Sequence, residues 1–288
     1  MRLELPQKVT LVIVMLRFFS SAVKTKISLT MTNPVSIRGK KLVVFDLDGT
    51  LTESKSPMDA EMADRLGKLL ERITVAIVSG GAFEQFECQL PALHLDDARS
   101  RRLFFFPTTG TRFFRYADGW RQVYADEMTV EERRKINDAF SQAFRDIDYR
   151  HPETLYGEVV EDRGTQVTFS ALGQQAPLEL KKQWKATQDR RPEIAAALAK
   201  YLPDFEIKIP GVTSIDVTRK GIDKAYAIDK IEEHLGFAVP EMVFVGDALY
   251  EGGNDNAVFK TGIDAIAVTG PSDTKALIAE WLNVLPRV

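Results

Sequence analysis

The amino-acid sequence predicts an α/β protein whose core is a Rossmann-like, doubly wound parallel sheet with an inserted α+β segment. Short apolar runs such as Val75–Val78 alternate with amphipathic helical patterns. Polar clusters follow several of these runs, where the carboxyl ends of parallel strands bind ligands. The middle of the chain breaks the alternation with half-exposed, strand-like patterns. Buried strands separated by helices indicate a sheet that is covered on both faces.

The first part of the predicted core contains three strands and a helix. Lys41–Phe45 is a short apolar strand that leads into acidic residues. Ser56 is expected to cap the next helix, with Pro57 in its first turn. Val75–Val78 and Leu103–Phe106 are the second and third strands, because both are short, apolar and rich in β-formers.

The core pattern returns near the carboxyl end of the chain. Asp223–Leu235 has apolar residues at helical spacing, and Gly236 follows it. Met242–Val245 and Ala265–Val268 read as buried strands, and Pro271 opens a closing helix. The parallel sheet is therefore interrupted and then completed.

The segment between these parts predicts an α+β insertion. Its expected helices are Thr129–Ile147 and Glu193–Tyr201, and its expected strands are Tyr156–Val160, Thr165–Ser170 and Phe205–Ile209. We predict a core formed by residues 40–115 and 213–288, and an inserted domain formed by residues 116–212.

Residues 1–39 form a basic, acid-poor extension whose only acid is Glu4. Its apolar run, Val9–Leu16, is shorter than the ~20 residues that span a bilayer. The extension fits a secretory signal, an organellar transit peptide, or a translation artefact that precedes a true start at Met31. We leave it out of the fold prediction.

The overall composition narrows the class of function. The 288 residues carry a formal net charge of -3, so a general nucleic-acid binder is not expected. The single cysteine, Cys88, excludes an internal disulfide. With no membrane-spanning run, we expect a cytoplasmic protein that acts on a small molecule, although the extension leaves organellar or secretory targeting open.

The strongest motif is Asp46-Leu47-Asp48-Gly49-Thr50, directly after the first strand. Asp46 can attack phosphorus, because an aspartyl phosphate is itself reactive and divides a difficult step into two. Asp48 can protonate the leaving oxygen and later activate water. Gly49 allows a sharp turn, and the hydroxyl of Thr50 can hold a phosphate oxygen.

A second cluster, Gly246-Asp247 through Asn254-Asp255, follows a later strand. Carboxylate and amide oxygens suit a hard cation, and Mg²⁺ combines a few protein ligands with water and phosphate. The sequence therefore predicts a Mg²⁺ cofactor near Asp46.

Two further clusters can neutralise or hold a phosphate. Ser79-Gly80 follows the second strand, and its hydroxyl and backbone amides can donate to phosphate oxygens. Lys224, at the start of a predicted helix, can neutralise the phosphate or orient Asp46.

These four clusters, in this order, resemble the haloacid dehalogenase superfamily. The resemblance implies that Asp46 is the nucleophile and Asp48 the acid and base. It also implies that Mg²⁺ is held by Asp46, the backbone carbonyl of Asp48 and Asp247, with Asn254 and Asp255 in support. The inserted segment then corresponds to a type II (IIB) cap domain, which selects the substrate.

Within that superfamily the chain after residue 40 resembles the eukaryotic-type phosphomannomutases, through strings such as FDLDGTLTESKSP, VEDRGTQVTFSALG and GDALYEGGND. The resemblance implies a homodimer through the cap. It also implies cap and core contacts to the sugar phosphate from a further set of residues: Lys55, Arg163, Ser170, Gly173, Ser214 and Asp216.

The sequence departs from that family's pattern in the cap. Gln174 stands where the family has an arginine, and we assign Tyr156 to the position of another. The second motif reads Ser79-Gly80-Gly81 instead of Gly-Gly-Ser. A mutase retains a bisphosphate while it turns over, and bidentate arginines hold phosphate better than a neutral glutamine.

From these departures we expect a phosphatase of a small phosphomonoester, such as a sugar phosphate. The alternatives are a phosphomannomutase that interconverts mannose 1-phosphate and mannose 6-phosphate, and a non-catalytic sugar-phosphate-binding protein.

Overall fold

The computed structural model describes residues 36–287, which contain two sheets and the helices that cover them. The strands are β1 (Leu42–Asp46), β2 (Thr74–Val78), β3 (Leu103–Phe106), β4 (Arg112–Tyr116), β5 (Trp120–Ala125), β6 (Val160–Asp162), β7 (Val167–Ser170), β8 (Phe205–Lys208), β9 (Ser214–Arg219), β10 (Met242–Gly246) and β11 (Asp264–Ala267). The helical segments are α1 (Ala60–Leu70), α2 (Phe83–Gln89), α3 (Asp97–Ser100), α4 (Pro107–Gly110), α5 (Val130–Asp146), α6 (Leu178–Gln188), α7 (Arg191–Tyr201), α8 (Lys224–Leu235) and α9 (Pro271–Val284). Residues 1–35 of the predicted extension lie outside the described range.

The larger sheet has the strand order β11-β10-β1-β2-β3-β4-β5. The first five strands in this order are parallel, and β4 and β5 add an antiparallel edge. All five residues of β1 are buried, as expected for a central strand covered on both faces.

Helices cover both faces of this sheet. On one face, Leu66 of α1 and Ile278 and Trp281 of α9 belong to the same apolar cluster as Val43 of β1. On the other face, Ile228 of α8 packs in the cluster that contains the alternate β1 residues. The predicted doubly wound α/β fold is thus confirmed.

The carboxyl ends of β1, β2 and β10 meet at one edge of the larger sheet. β1 lies between β2 and β10, with Asp46 opposite Val78 and Phe45 opposite Val245. The polar clusters that follow these strands are thereby brought together at one edge.

The smaller sheet is antiparallel, with the order β6-β7-β9-β8. It has its own apolar cluster, in which Phe140 of α5 and Leu198 of α7 pack against Phe169 of β7 and Ile215 of β9. This sheet and its helices form the inserted cap.

The two sheets do not divide at the predicted domain boundaries, which lie between residues 115 and 116 and between residues 212 and 213. β4 and β5 form a hairpin of the larger sheet, and its turn places Asp118 and Gly119 at φ 53 and 121. An Asp-Gly turn of this kind is a hairpin signal that the sequence analysis overlooked. At the other end, β9 pairs with β7 and β8, so the smaller sheet extends to Arg219.

Two local predictions are also corrected. The residue that caps α1 is Asp59, whose side chain accepts from the backbone of Met62, and not Ser56. The strand predicted at Tyr156–Val160 begins only at Val160, because Gly157 has φ 84 and breaks the extended backbone before it.

No helix among residues 36–287 has the length and apolarity to cross a membrane. Cytoplasmic localisation itself stays a prediction.

Candidate active site

Asp46 ends β1 in a buried cluster of opposite charges. Its side chain accepts a hydrogen bond from the ammonium of Lys224, and the same ammonium lies 2.6 Å from Asp255 Oδ1. Lys224 is the first residue of α8 because Asp223 caps that helix, accepting from the backbone of Ala225 and Tyr226. The helix cap therefore places the lysine beside the carboxyl end of β1.

The cluster has three carboxylates for one ammonium, and of these groups only Asp247 is half-buried. Burial raises the pKa of Asp46, Lys224 opposes this effect, and the carboxylates of Asp255 and Asp247 raise the pKa further, so that it lies well above its ordinary value. Burial alone would lower the pKa of Lys224, but Asp255 and Asp46 outweigh that effect and raise it. Lys224 therefore keeps its positive charge, and the three carboxylates suit the binding of a second cation.

The donor set fits a divalent cation. One oxygen from each of Asp46, Asp247 and Asp255 lies within 4.8 Å of the others. Carboxylate oxygens are the ligands that Mg²⁺ prefers. Asn254, the fourth predicted side-chain ligand, is exposed on the loop next to Asp255.

Two glycines make room for this cluster. A Cβ on Gly49, which has φ +88, would lie 2.6 Å from Asp247 Oδ2. A Cβ on Gly246 would lie 2.3 Å from Asp255 Oδ2. Both motifs therefore use glycine because carboxylates occupy the space beside the backbone.

Thr50 and Ser79 lie buried in the loops that follow β1 and β2. The Thr50 hydroxyl has no hydrogen-bond partner within residues 36–287, which suits a group that receives a phosphate oxygen. Ser79 Oγ accepts from the backbone of Gly81 at 3.0 Å, so its own proton is available to a ligand.

Asp48, the predicted acid and base, lies in the loop after β1 and is half-buried. Its carboxylate accepts from the backbone of Lys55 and from the side-chain amides of Gln85 and Gln89 on α2. The sequence analysis did not predict either glutamine as part of the site, because α2 itself was not predicted.

The cap contacts the core at Gly80 of the Ser79-Gly80-Gly81 motif. The backbone oxygen of Gly80 accepts from Arg163 Nη1 and from Gln166 Nε2, each at 3.1 Å. Both donors lie at the β6–β7 turn of the cap. Arg163 is therefore held at the cap–core boundary, where a substrate would be enclosed.

Three cations converge on Gln174 at this boundary. Lys55 Nζ lies 3.4 Å from Gln174 Oε1, Arg163 Nη2 lies 3.3 Å from the same oxygen, and Lys181 Nζ lies 3.1 Å from the Gln174 backbone oxygen. Lys55 comes from the core, and the other two come from the cap. Hereafter we call Lys55, Arg163 and Lys181 the cap cation group.

Lys181 is buried and Lys55 and Arg163 are half-buried, and the members of the group repel one another. Burial and, less strongly, the charge of Lys55 lower the pKa of Lys181 to about 8. Burial and Arg163 likewise lower the pKa of Lys55. A bound anion would relieve this repulsion, so the group suits a phosphate.

The remaining predicted cap residues lie beside the cap cation group. The Ser214 hydroxyl is 3.4 Å from Lys55 Nζ. Asp216 is buried, which raises its pKa, and its Oδ1 accepts from Thr168 at 2.8 Å. The Ser170 hydroxyl instead donates to the backbone of Gly173, so it holds the turn before Gln174.

Lys181 is the charged residue that sequence reasoning missed. It lies on α6, which had no clear apolar periodicity, and the neighbouring Lys182 looks the same in sequence. Burial separates them, since Lys181 is 3 % exposed whereas Lys182 is exposed. Tyr156, which we assigned to a missing arginine, packs against the apolar cluster of the cap instead.

Comparisons with solved structures show which proteins share this fold. The ATP-bound IMP-nucleotidase of Plasmodium falciparum superimposes with a TM-score of 0.66 at 15% identity, over 85% of this chain and 61% of that one. A haloacid dehalogenase-like hydrolase from Bacteroides thetaiotaomicron superimposes with a TM-score of 0.55 at 14% identity, over 84% of this chain and 99% of that one. The fold is that of the haloacid dehalogenase superfamily.

Comparisons with curated proteins are more specific. The phosphomannomutase of Schizosaccharomyces pombe is 26% identical over 256 residues, which cover 85% of this chain and 95% of that protein. The phosphomannomutase of Saccharomyces cerevisiae is 28% identical over 254 residues, which cover 84% and 94%. The eukaryotic phosphomannomutase family matches residues 62–284, through the cap and most of the core. The chain therefore belongs to the eukaryotic phosphomannomutase family.

Proposed function

We propose that this protein is a phosphomannomutase, which moves a phosphoryl group between the 1- and 6-oxygens of mannose through a phosphorylated Asp46. The observation that carries the proposal is the cap cation group, which offers a second anion site at the cap–core boundary. A hexose bisphosphate, the intermediate of such a reaction, needs two phosphate sites at once. The curated relatives named phosphomannomutase support the same activity.

This proposal reverses the preference that the sequence suggested. Two missing arginines favoured a phosphatase, but Lys181 supplies a buried charge that the sequence analysis did not count. Tyr156 packs within the cap, so its position weighs little against a mutase. Lys55, Arg163 and Lys181 bring three basic side chains to the cap site, and one of them, Arg163, is also paired with Glu161 at 2.6 Å.

The chemistry follows from the arrangement at the end of β1. A carboxylate oxygen of Asp46 attacks one phosphorus of a hexose bisphosphate, the bond from that phosphorus to the sugar oxygen breaks, and a hexose monophosphate is left. Asp48 gives the sugar oxygen a proton. In the second step the free hydroxyl of a hexose monophosphate attacks the phosphoryl group on Asp46, Asp48 takes the hydroxyl proton, and the bisphosphate forms again.

The surrounding residues stabilise the group that is transferred. Lys224, Thr50 and Ser79 would donate to its oxygens. A divalent cation, which we propose is Mg²⁺ held by Asp46, Asp247, Asp255 and the Asp48 carbonyl, would offset the charge that develops on the phosphate. Closure of the cap at Gly80 would exclude water, which competes with the sugar hydroxyl for the aspartyl phosphate.

Hydrolysis is the second candidate, and Gln174 favours it. This neutral side chain lies among the three cations, and its Nε2 is buried without a partner in the part of the chain that the structure describes. A bisphosphate held less firmly would leave before it turned over, and water would then take the phosphoryl group from Asp46.

A ³¹P NMR time course on the full chain distinguishes these activities. The reaction contains Mg²⁺ and mannose 1-phosphate, with and without glucose 1,6-bisphosphate. We expect a growing 6-phosphate signal that depends on the bisphosphate. Growth of inorganic phosphate alone would replace the mutase proposal with the hydrolase. Binding without turnover, across a wide panel of phosphomonoesters, would indicate a non-catalytic sugar-phosphate-binding protein.

A matched pair of variants tests the cap cation group. Lys181→Met should lower kcat/KM for mannose 1-phosphate by about tenfold to a hundredfold, since a hydrogen bond to a charged group contributes roughly 1.5–3 kcal/mol. The control is Lys182→Met, which removes the adjacent exposed lysine. Equal losses in the two variants would remove the support that Lys181 gives to a second phosphate site.

A further inference from the structure

The carboxylate of Asp48 is held by three N–H donors, two of which come from one face of α2. Oδ1 accepts from the backbone of Lys55 at 2.5 Å and from Gln89 Nε2 at 3.2 Å. Oδ2 accepts from Gln85 Nε2 at 3.2 Å. A residue that must both give and take a proton is thus fixed on both of its oxygens.

The two glutamines also fix each other. Gln85 Nε2 donates to Gln89 Oε1 at 2.7 Å, and Gln89 Nε2 donates to Thr52 Oγ1 at 2.8 Å. The side chain of Gln89 is buried, whereas that of Gln85 is half-buried. Since an ionised carboxylate only accepts, both amides present their NH₂ groups to Asp48.

Gly81 leaves the space that Gln85 occupies. A Cβ on Gly81 would lie 2.4 Å from Gln85 Oε1 and 2.6 Å from Gln85 Cδ. At the neighbouring Gly80 the nearest atom would be Asp216 Oδ2 at 3.4 Å, close to an ordinary contact. A side chain at the second glycine of the motif would therefore displace the amide of Gln85.

We propose that Gln85 is a positioning residue for Asp48, and that Gly81 keeps the space for it. This inference rests on the acid–base role of Asp48 in the proposed function. Oδ1 already accepts from two donors, so the exchanged proton is carried on Oδ2, the oxygen beside Gln85. Gln85 holds that oxygen towards the reacting group, while Gln89 holds Gln85.

With an activated substrate, the proposal predicts different effects on the two chemical steps, phosphorylation of Asp46 and hydrolysis of the aspartyl phosphate. The p-nitrophenolate of p-nitrophenyl phosphate leaves without a proton, so phosphorylation of Asp46 does not need Asp48. Removal of the phosphoryl group by water does need it, because water must lose a proton as it attacks. Misplacing Asp48 should therefore slow the second step alone.

The test is stopped-flow release of p-nitrophenol by full-length protein with Mg²⁺. In Gln85→Ala we expect the steady-state rate to fall by about tenfold to a hundredfold, as for a lost hydrogen bond to a charged group. KM should not rise, the burst rate should be kept, and phosphorylated protein should accumulate. If burst and steady-state rates fell together, or if neither fell, the proposal would be overturned.

A double-mutant cycle tests the part played by Gly81. Gly81→Ala should give the same burst, because its methyl group displaces the Gln85 amide. Adding Gly81→Ala to Gln85→Ala should then cost nothing further, whereas additive losses would mean that the glycine acts independently. Glu87→Ala, at an exposed position of α2, is the control and should keep the wild-type steady-state rate.

The readout also separates this inference from the proposed function. A wild-type protein that fails to interconvert the mannose phosphates, yet releases p-nitrophenol, would contradict the mutase and leave the burst comparison decisive for Gln85.

Discussion

At Lys181, burial and a neighbouring charge act in the same direction. Both the low-dielectric surroundings and Lys55 disfavour the ammonium, and the pKa of Lys181 falls to about 8. An amine of this kind changes charge within the range in which enzymes are assayed. The strength of the cap anion site should therefore depend on pH.

We predict an alkaline limb in kcat/KM for mannose 1-phosphate. Below pH 8 Lys181 is protonated and attracts phosphate, and as pH rises through about 8 it loses that charge and binding weakens. The measurement is a profile from roughly pH 6 to pH 10, which reports groups of the free enzyme. In Lys181→Arg the limb should move to higher pH, because guanidinium stays charged. An unchanged limb in that variant would mean that another group causes it.

Lys224 is a second lysine whose charge matters, in this case for the stability of the fold. It lies between Asp46 and Asp255, both of which are buried. We predict that Lys224→Met, studied in EDTA, lowers the free energy of unfolding by about 3–5 kcal/mol, because two buried carboxylates lose their partner.

The measurement for Lys224 is urea unfolding, repeated with added Mg²⁺. Binding of the cation to the folded state should restore part of the lost stability. Lys230→Met, on the same helix, removes a lysine that pairs with Glu233 at the surface and should cost less than about 1 kcal/mol. A Lys224→Met protein as stable in EDTA as the control would contradict this account of the cluster.

Among the elements, the loops after the strands determine the site more than the strands do. The loop after β1 turns at Gly49, whose φ is +88 and whose missing side chain leaves space for Asp247. The loop after β10 similarly needs Gly246 beside Asp255. A side chain at either position would displace a carboxylate of the cation site, and at Gly246 it would also meet the ring of Phe244.

We predict that Gly49→Ala lowers kcat by about a hundredfold, since displacing a reacting group by about 1 Å can have that effect. Its methyl group would push Asp247 away, so the affinity for Mg²⁺ should fall as well. The matched control is Gly39→Ala, which has φ +83 but no atom within 4 Å of its Cβ. That variant should lose about 1 kcal/mol of stability and keep its activity. Equal kinetic losses would point to backbone strain as the cause.

The sequence predicts the core elements better than those of the cap. Continuous apolar runs such as Met242–Val245 are recognisable because a central parallel strand is buried on both faces. α6 and β9 had no such pattern, since each contributes polar side chains to the cap–core boundary. Lys181, Ser214 and Asp216 are buried there.

The same contrast applies to the candidate site. Asp46, Asp247 and Asp255 were predicted to lie together because they follow strands of one parallel sheet and match the superfamily's motifs, and the structure brings their oxygens within 4.8 Å. Gln85 and Lys181 were missed because their roles depend on burial and on partners distant in sequence. Glutamine and lysine on a helix look like solvated residues until the tertiary structure is known.

For the whole molecule, the relation of cap to core is set by a few polar contacts. Arg163 and Gln166 donate to Gly80, and Lys55 reaches Gln174 and Ser214. Near the connecting segments, Arg219 binds Asp126 and Glu132. Contacts of this kind exchange readily with water, so the cap is suited to open and close over a substrate.

We also propose that the protein is a homodimer that pairs through the cap, as the family resemblance implies. Light scattering on the full chain should give twice the mass of one chain. A Lys181→Met protein should give the same mass, since that residue faces the site. A monomeric mass across the working concentration range would rule out the dimer.

The interrupted sheet has a consequence for synthesis of the protein. Leu42 of β1 pairs with Met242 of β10, and the whole cap is encoded between them. At roughly 5–20 residues per second, the ~200 intervening residues take on the order of 10–40 s to add. During that time one edge of β1 is open while the cap sheet can already form. Released fragments ending at Leu235 should therefore sediment as aggregates, whereas the full chain stays in the supernatant. Translation speed through the cap then determines how long an unpaired core strand is exposed to other nascent chains.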